Sequence, residues 1–158
     1  MKINKNQENE TLIGIDYGSV NIGLALGISG FVQPLKVVSV KNPNTAIHEI
    51  ITTALQAKAD KFIIGLPLNA EGKETSQSKE IRKFGKNLKI KSKKPVEFFD
   101  EHLSSKEALK ESISLGLPQK KRSSTDHIAA GIILKRYFQE KGIDYTENFL
   151  PSTHFKKL

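Results

Sequence analysis

Apolar residues in this chain fall first into short alternating or unbroken runs and later into sets at helical spacing. Thr11 to Asp16, Ile22 to Leu26 and Leu35 to Val40 read as strands, separated by a tight turn at Tyr17-Gly18 and a longer one from Gly27 to Pro34. Those connections are too short to hold crossover helices, so the three strands should form an antiparallel meander. The period then changes. Between Thr45 and Lys58, Ile47, Ile50, Ile51, Ala54 and Leu55 predict an amphipathic helix, and Phe62 to Leu66 is an apolar run ended by Gly65 and Pro67, as in a buried parallel strand. Ser76 to Leu88 predicts a second helix with Ile81, Phe84 and Leu88 on one face, and Val96 to Asp100 a fifth strand. Ser104-Ser105-Lys106-Glu107 resembles a capping box opening a helix to Leu115, and a last helix spans Ser124 to Lys141, closed by Gly142. This order implies a mixed α/β sheet with helices on its faces, in one domain from 11 to 142 between a flexible N-terminus (1–10) and a C-terminal tail (143–158).

Composition narrows the class. At 158 residues with 37% hydrophobic content the chain can bury a core without cross-links, and with no cysteine it has neither disulfides nor thiolate-held zinc. Met1 to Glu10 lacks the apolar stretch of a secretory signal and no later run is long enough to span a bilayer, so a cytoplasmic protein without a membrane partner is expected. The net charge of +8 is concentrated: Lys79 to Lys94 holds eight basic residues against the single acid Glu80. Such a local field suits a polyanion such as nucleic acid, although a solvated lysine-rich helix face produces the same pattern.

Candidate chemistry rests on acids at strand and helix ends. Asp16 ends the first strand, Asp100 and Glu101 end the fifth, and Asp126 opens the last helix. Sites in α/β sheets gather beyond the carboxyl ends of parallel strands. Carboxylates converging there repel one another unless cations bind, and an all-oxygen donor set favours Mg²⁺ or Mn²⁺ over zinc. Two such ions can clamp the attacking and leaving oxygens of a phosphodiester displacement. Each acid also has a plainer reading: an Asx turn for Asp16, a strand-end charge for Glu101, and a first-turn acid behind a Ser123 cap for Asp126. Adjacent strand residues point opposite ways, so only one of Asp100 and Glu101 should face the site, and spacing does not choose between them.

These residues carry a family resemblance. Gly14-Ile15-Asp16-Tyr17-Gly18 with Ile22-Gly23-Leu24-Ala25, then Ile64-Gly65-Leu66-Pro67-Leu68-Asn69 with Gly72, then Asp100-Glu101-His102-Leu103-Ser104-Ser105, then Lys121-Arg122 ahead of Asp126-His127-Ile128-Ala129-Ala130 resemble, in order, the motifs of YqgF-type proteins. The resemblance covers roughly Leu12 to Phe138. It implies a ribonuclease-H-like fold, a five-stranded sheet with antiparallel first three strands, parallel fourth and fifth, and helices on both faces. It further implies nuclease activity maturing the 5′ end of pre-16S ribosomal RNA, or resolution of Holliday junctions, with Asp16, Glu101 and Asp126 as the catalytic acids holding two Mg²⁺ or Mn²⁺ ions. Ribosomal particles would then be partners. The family usually has Arg where this chain has Asn21 and His102, and neither replaces a bidentate guanidinium on phosphate.

Substrate contacts are expected from Asn69 in the loop after the fourth strand, from Lys73, from the basic trio Lys120, Lys121 and Arg122 ahead of Asp126, and from His102. Asn69 could equally bond its own loop, and His102 could be a plain strand-end residue. His48, His127 and His154 form no ligand spacing. A nucleic-acid-binding protein with little cleavage activity is the reading from another class. An actin-like phosphate binder would need a second lobe that 158 residues do not supply.

Overall fold

The computed structural model describes residues 9–101 and 126–143. Five strands and three helices follow in the order β1 (Thr11–Tyr17), β2 (Asn21–Ile28), β3 (Phe31–Ser39), α1 (Pro43–Gln56), β4 (Lys61–Pro67), α2 (Ser76–Ser92), β5 (Val96–Glu101) and α3 (Asp126–Glu140). The strands form one sheet ordered β3-β2-β1-β4-β5. β1 pairs antiparallel with β2 and parallel with β4, and β5 lies parallel to β4, so the meander and the parallel pair are both present. The helix expected over 104–115 lies outside the described residues.

Alternation along the strands sorts the core into two layers. Ile13 and Ile15 of β1 with Phe62, Ile64 and Leu66 of β4 pack against Ile47 and Ile50 of α1 and Ile81, Phe84 and Leu88 of α2. Leu12 and Ile63 point the other way and pack with Ala130, Ile133, Leu134 and Phe138 of α3. Because both faces of β1 and β4 are covered, their sequences read as continuous apolar runs.

Local chemistry moves four boundaries from their expected places. The 27–34 turn is instead a tight hairpin: β2 runs on to Ile28, Ser29 (φ 50°) and Gly30 (φ 85°) make the left-handed turn, and β3 starts at Phe31. Pro34, which reads as a strand breaker, sits on the outermost strand where the register shifts between Leu24 and Ala25, a place that tolerates a missing N–H. α1 begins two residues early because Asn42 Oδ1 accepts from the N–H groups of Asn44 and Thr45, with Pro43 in the first turn. α2 outlasts its apolar stripe by a lysine-rich turn and stops at Lys93 in the left-handed conformation.

At the end of the sheet where β4 and β5 begin, Lys61 pairs with Glu97 at 2.7 Å, Lys141 reaches the same carboxylate at 3.7 Å, and the Tyr137 hydroxyl donates to it at 3.2 Å. Burial works against the Glu97 charge, but the hydrogen bond and charge of Lys61, aided by Lys141, outweigh it and hold the carboxyl below its ordinary 4.5. Burial likewise opposes the Lys61 ammonium, and its bond to Glu97 with the neighbouring Tyr137 and Glu97 charges leaves it above 10.5. A depressed carboxyl contributes stability above its unfolded value that is lost as pH falls through the folded one; the raised amine contributes below 10.5 and fades as pH rises through its folded value. With partly exposed partners the contribution is about 1 kcal/mol or less. The melting temperature of the wild type should therefore fall more steeply between about pH 5 and pH 3 than that of Glu97→Gln. Parallel curves would contradict this assignment.

Candidate functional site

The register brings three strand ends to one edge. Ile15 of β1 stands beside Ile64 of β4, and Pro67 of β4 beside Glu101 of β5, so all three parallel strands point the same way and finish together. Asp16 lies within the β1 ladder opposite Gly23, and it is half-buried. It shares parity with Leu12 and Gly14, so it belongs to the face covered by α3.

How α3 meets that face follows from two glycines. A Cβ on Gly14 would lie 2.6 Å from Leu134 Cγ and 2.9 Å from the Ala130 carbonyl oxygen, and one on Gly27 would lie 3.0 Å from the Phe138 ring. Gly27 pairs with Leu12, so moving back along β1 corresponds to moving forward along α3: the helix runs antiparallel to the strand. Asp126 is then about 6 Å before Ala130 along the helix axis, and Asp16 roughly 7 Å beyond Gly14 along the strand. The start of α3 and the end of β1 reach the same edge, where the positive end of the helix dipole also points.

Alternation sorts the positions of β5 between the two faces of the sheet. Glu97 and Phe99 meet Tyr137 of α3, with the Phe99 and Tyr137 ring centroids 6.2 Å apart, whereas Phe98 packs beside Gly85 of α2. Position 101 therefore shares the α3 face with Asp16, and the exposed Asp100 belongs to the α2 side. Backbone positions of all three expected acids thus converge. Among the described residues no set of three His, Cys, Asp or Glu side chains stands together; of the trio, only Asp16 has a described side chain.

Flanking parts are built to be rigid. The Gly18 N–H donates to the Asn21 carbonyl at 2.9 Å, and a Cβ at Gly18 would come within 2.6 Å of that oxygen, so only glycine closes the turn directly after Asp16 and Tyr17. Tyr17 faces α2, its hydroxyl 3.1 Å from Glu80 Oε1 and its ring 4.8 Å from Phe84. Burial, then the bond and charge of Glu80, raise its pKa. After β4, Leu68 bridges to Glu74, and Asn69 Oδ1 accepts from the N–H groups of Glu71 (3.0 Å) and Lys73 (2.9 Å) across a turn with Gly72 at φ 76°. The Asn69 carbonyl side is thus spent on its own loop, and its amide nitrogen is what remains to meet a substrate. Lys73, beside Glu71 at 3.6 Å, is exposed on that loop at the acid edge. His102, Lys120, Lys121 and Arg122 lie outside the described residues. The sequence reading overlooked Gly14 as the contact that seats α3; an isolated glycine inside a strand pattern was the available signal.

A mixed sheet in this order, helices on both faces and acids at its carboxyl edge, is the ribonuclease-H-like architecture. The model of the family described as RuvX, Holliday junction resolvase, matches residues 10–140, and the chain belongs to that family. It is 31% identical over 127 residues to a protein of Rhodobacter capsulatus, covering 78% of this chain and 80% of that one. It is also 32% identical over 130 residues to one of Rickettsia canadensis, covering 80% and 84%. Both carry the name "Putative pre-16S rRNA nuclease". Among solved structures, the fowlpox virus Holliday junction resolvase matches with a TM-score of 0.53 at 16% identity, covering 82% of this chain and 97% of that one. RuvC of T. thermophilus in complex with a Holliday junction substrate matches with a TM-score of 0.52 at 16% identity, covering 85% and 98%. These two likenesses are of fold. Among the described residues no helix is long and apolar enough to cross a membrane.

Proposed function

We propose that the protein is a divalent-metal-dependent nuclease that hydrolyses a phosphodiester bond of structured nucleic acid, with the 5′ end of pre-16S ribosomal RNA as its substrate. The observation that carries this is the meeting of Asp16, position 101 and the start of α3 at one sheet edge, from segments far apart in the chain. Membership in a resolvase family and the names of the curated relatives support the nuclease class. In a chain without cysteine, the carboxylates of Asp16, Glu101 and Asp126 would form an oxygen donor set suited to Mg²⁺ or Mn²⁺ and would hold these ions. Bound there, the ions would neutralise phosphate charge and acidify an attacking water. The chain's own part is to fix the acids on rigid elements, through the Gly18 turn and the Asn69 loop, and to hold the phosphates flanking the cut, with Lys73, Lys120, Lys121, Arg122 and His102 as candidate contacts.

Cleavage of a pre-16S RNA 5′ end and of a four-way DNA junction, each with Mg²⁺ and with Mn²⁺, tests the proposal. Metal-dependent cutting of the RNA in preference to the junction is the expected result. Cutting of the junction alone moves the substrate to branched DNA. Binding of RNA without cleavage by either metal leaves a binding protein and ends the nuclease reading.

A further inference from the structure

The basic residues of α2 do not surround it. At 100° per residue, Lys79, Arg82, Lys83, Lys86 and Lys89 share an arc of about 120°, opposite the Ile81, Phe84 and Leu88 side that packs on the sheet. Lys93, just past the last turn, lines a cavity together with Lys89. Arg82 is tied down by Glu74 and lies over the Phe98 ring at 5.2 Å, turning the stripe toward β5, the strand at the other edge of the sheet from β3. Lys91 and Lys94 are engaged away from the row, donating to Asn44 Oδ1 at 3.1 Å and the Ala59 carbonyl at 2.7 Å. Lys79, Lys83, Lys86, Lys89 and Lys93 are exposed and make no ion pair among the described residues. Lys79 and Lys83, Lys83 and Lys86, and Lys86 and Lys89 stand three or four residues apart, and like charges at those spacings destabilise a helix. Lysine favours the helix by propensity, but the charges of the row repel one another, and a polyanion lying along it would neutralise them.

The row also has a direction. Its start is fastened to the acid edge, where the Ser78 hydroxyl donates to the Pro67 carbonyl at the end of β4. Its foot opens on a cavity of about 390 Å³ lined by Lys89, Lys93, Lys94, Pro95 and Val96, where β5 begins. Lys79 to Lys93 spans about 21 Å, the length of roughly six nucleotides of one duplex strand.

We infer that the α2 lysine row is a track for the sugar-phosphate backbone flanking the cut, so that the enzyme takes long, base-paired substrates and grips short ones poorly. This rests on the nucleic-acid substrate of the proposed function, but not on its chemistry. Lysines act there as point charges on phosphate and read no sequence.

The test is Lys86→Gln/Lys89→Gln/Lys93→Gln, three positions at the far end from the acids, with binding measured in chelator so that no cleavage is needed. On an RNA hairpin with a stem of about 12 base pairs, the variant should bind on the order of tenfold or more weakly, with a log Kd against log salt slope smaller by about 2 to 3; an RNA of about three nucleotides should bind as it does to the wild type. The melting temperature should hold or rise, since only exposed like charges are removed. Equal loss on both RNAs, or loss on neither, overturns the track. So does wild-type binding to anionic vesicles but not to RNA, an outcome that Ile90, 65% exposed on the same arc, makes worth measuring. If the hairpin result holds but the wild type cuts no substrate with either metal, the track stands and the nuclease reading falls.

Discussion

Asp16→Asn is expected to remove metal-dependent cleavage while leaving nucleic-acid binding intact or slightly tighter. The substitution keeps size and shape, and the backbone pairing of residue 16 with Gly23 in the strand ladder does not involve the side chain. What changes is charge. A carboxylate that would ligate a hard cation becomes an amide, a weaker oxygen donor with no negative charge, and the remaining acids must then hold the ion alone. Losing an outer-shell partner of a metal ligand already costs 10–100-fold, so losing a ligand itself should cost at least about 100-fold in rate. Binding should move the other way, because the polyanion now meets one repelling charge fewer. Cleavage and salt-dependent binding measured on the same RNA separate the two effects. Unchanged cleavage with weakened binding would show that Asp16 holds substrate, not metal.

Much of this arrangement was legible in the residues, and for physical reasons. Strands covered on both faces read as unbroken apolar runs, which is why β1 and β4 stood out, and crossover helices carry their own period, which marked α1 and α2. Asp16 was conspicuous because a carboxylate at the end of such a run is costly without a partner. The hairpin at Ser29-Gly30 was hidden because Pro34 reads as a breaker unless the strand is known to lie at the sheet's edge. Which positions of β5 face α3 is a matter of parity, and parity becomes visible only when Tyr137 meets Glu97 and Phe99. Asn69 was ambiguous in principle: one amide can hold a loop or a ligand, and the backbone groups of Glu71 and Lys73 are what occupy its oxygen. The same applies to charge. Composition could show that Lys79 to Lys94 is basic, but only the structure separates the outward row from Lys91 and Lys94, which bond to Asn44 and the Ala59 carbonyl.

Gly14→Val should be the most damaging single change away from the acids, because it acts on the contact that brings α3 to the edge. Even a bare Cβ at residue 14 would sit 2.6 Å from Leu134 Cγ and 2.9 Å from the Ala130 carbonyl oxygen. Leu134 could shift its side chain, but the carbonyl cannot yield unless the helix itself moves. Overpacking of this kind typically costs 1–3 kcal/mol, and two further methyl groups against a helix backbone place the expected loss near the upper end, about 3 kcal/mol or roughly 10 °C in melting temperature. The helix that must retreat is the one that carries Asp126, so cleavage should fall further than the lost folded fraction explains, even at temperatures where the variant is fully folded. Gly131→Ala is the matched control on the other partner: its Cβ would meet Val32 Cγ1 at 3.4 Å and Pro34 Cγ at 3.9 Å, ordinary contact distances. With a helix-interior glycine replaced, that variant should gain up to about 1 kcal/mol and keep wild-type cleavage. If Gly14→Val melts with the wild type and cuts at the same rate, α3 does not bear on β1, and the start of that helix has no fixed place beside Asp16.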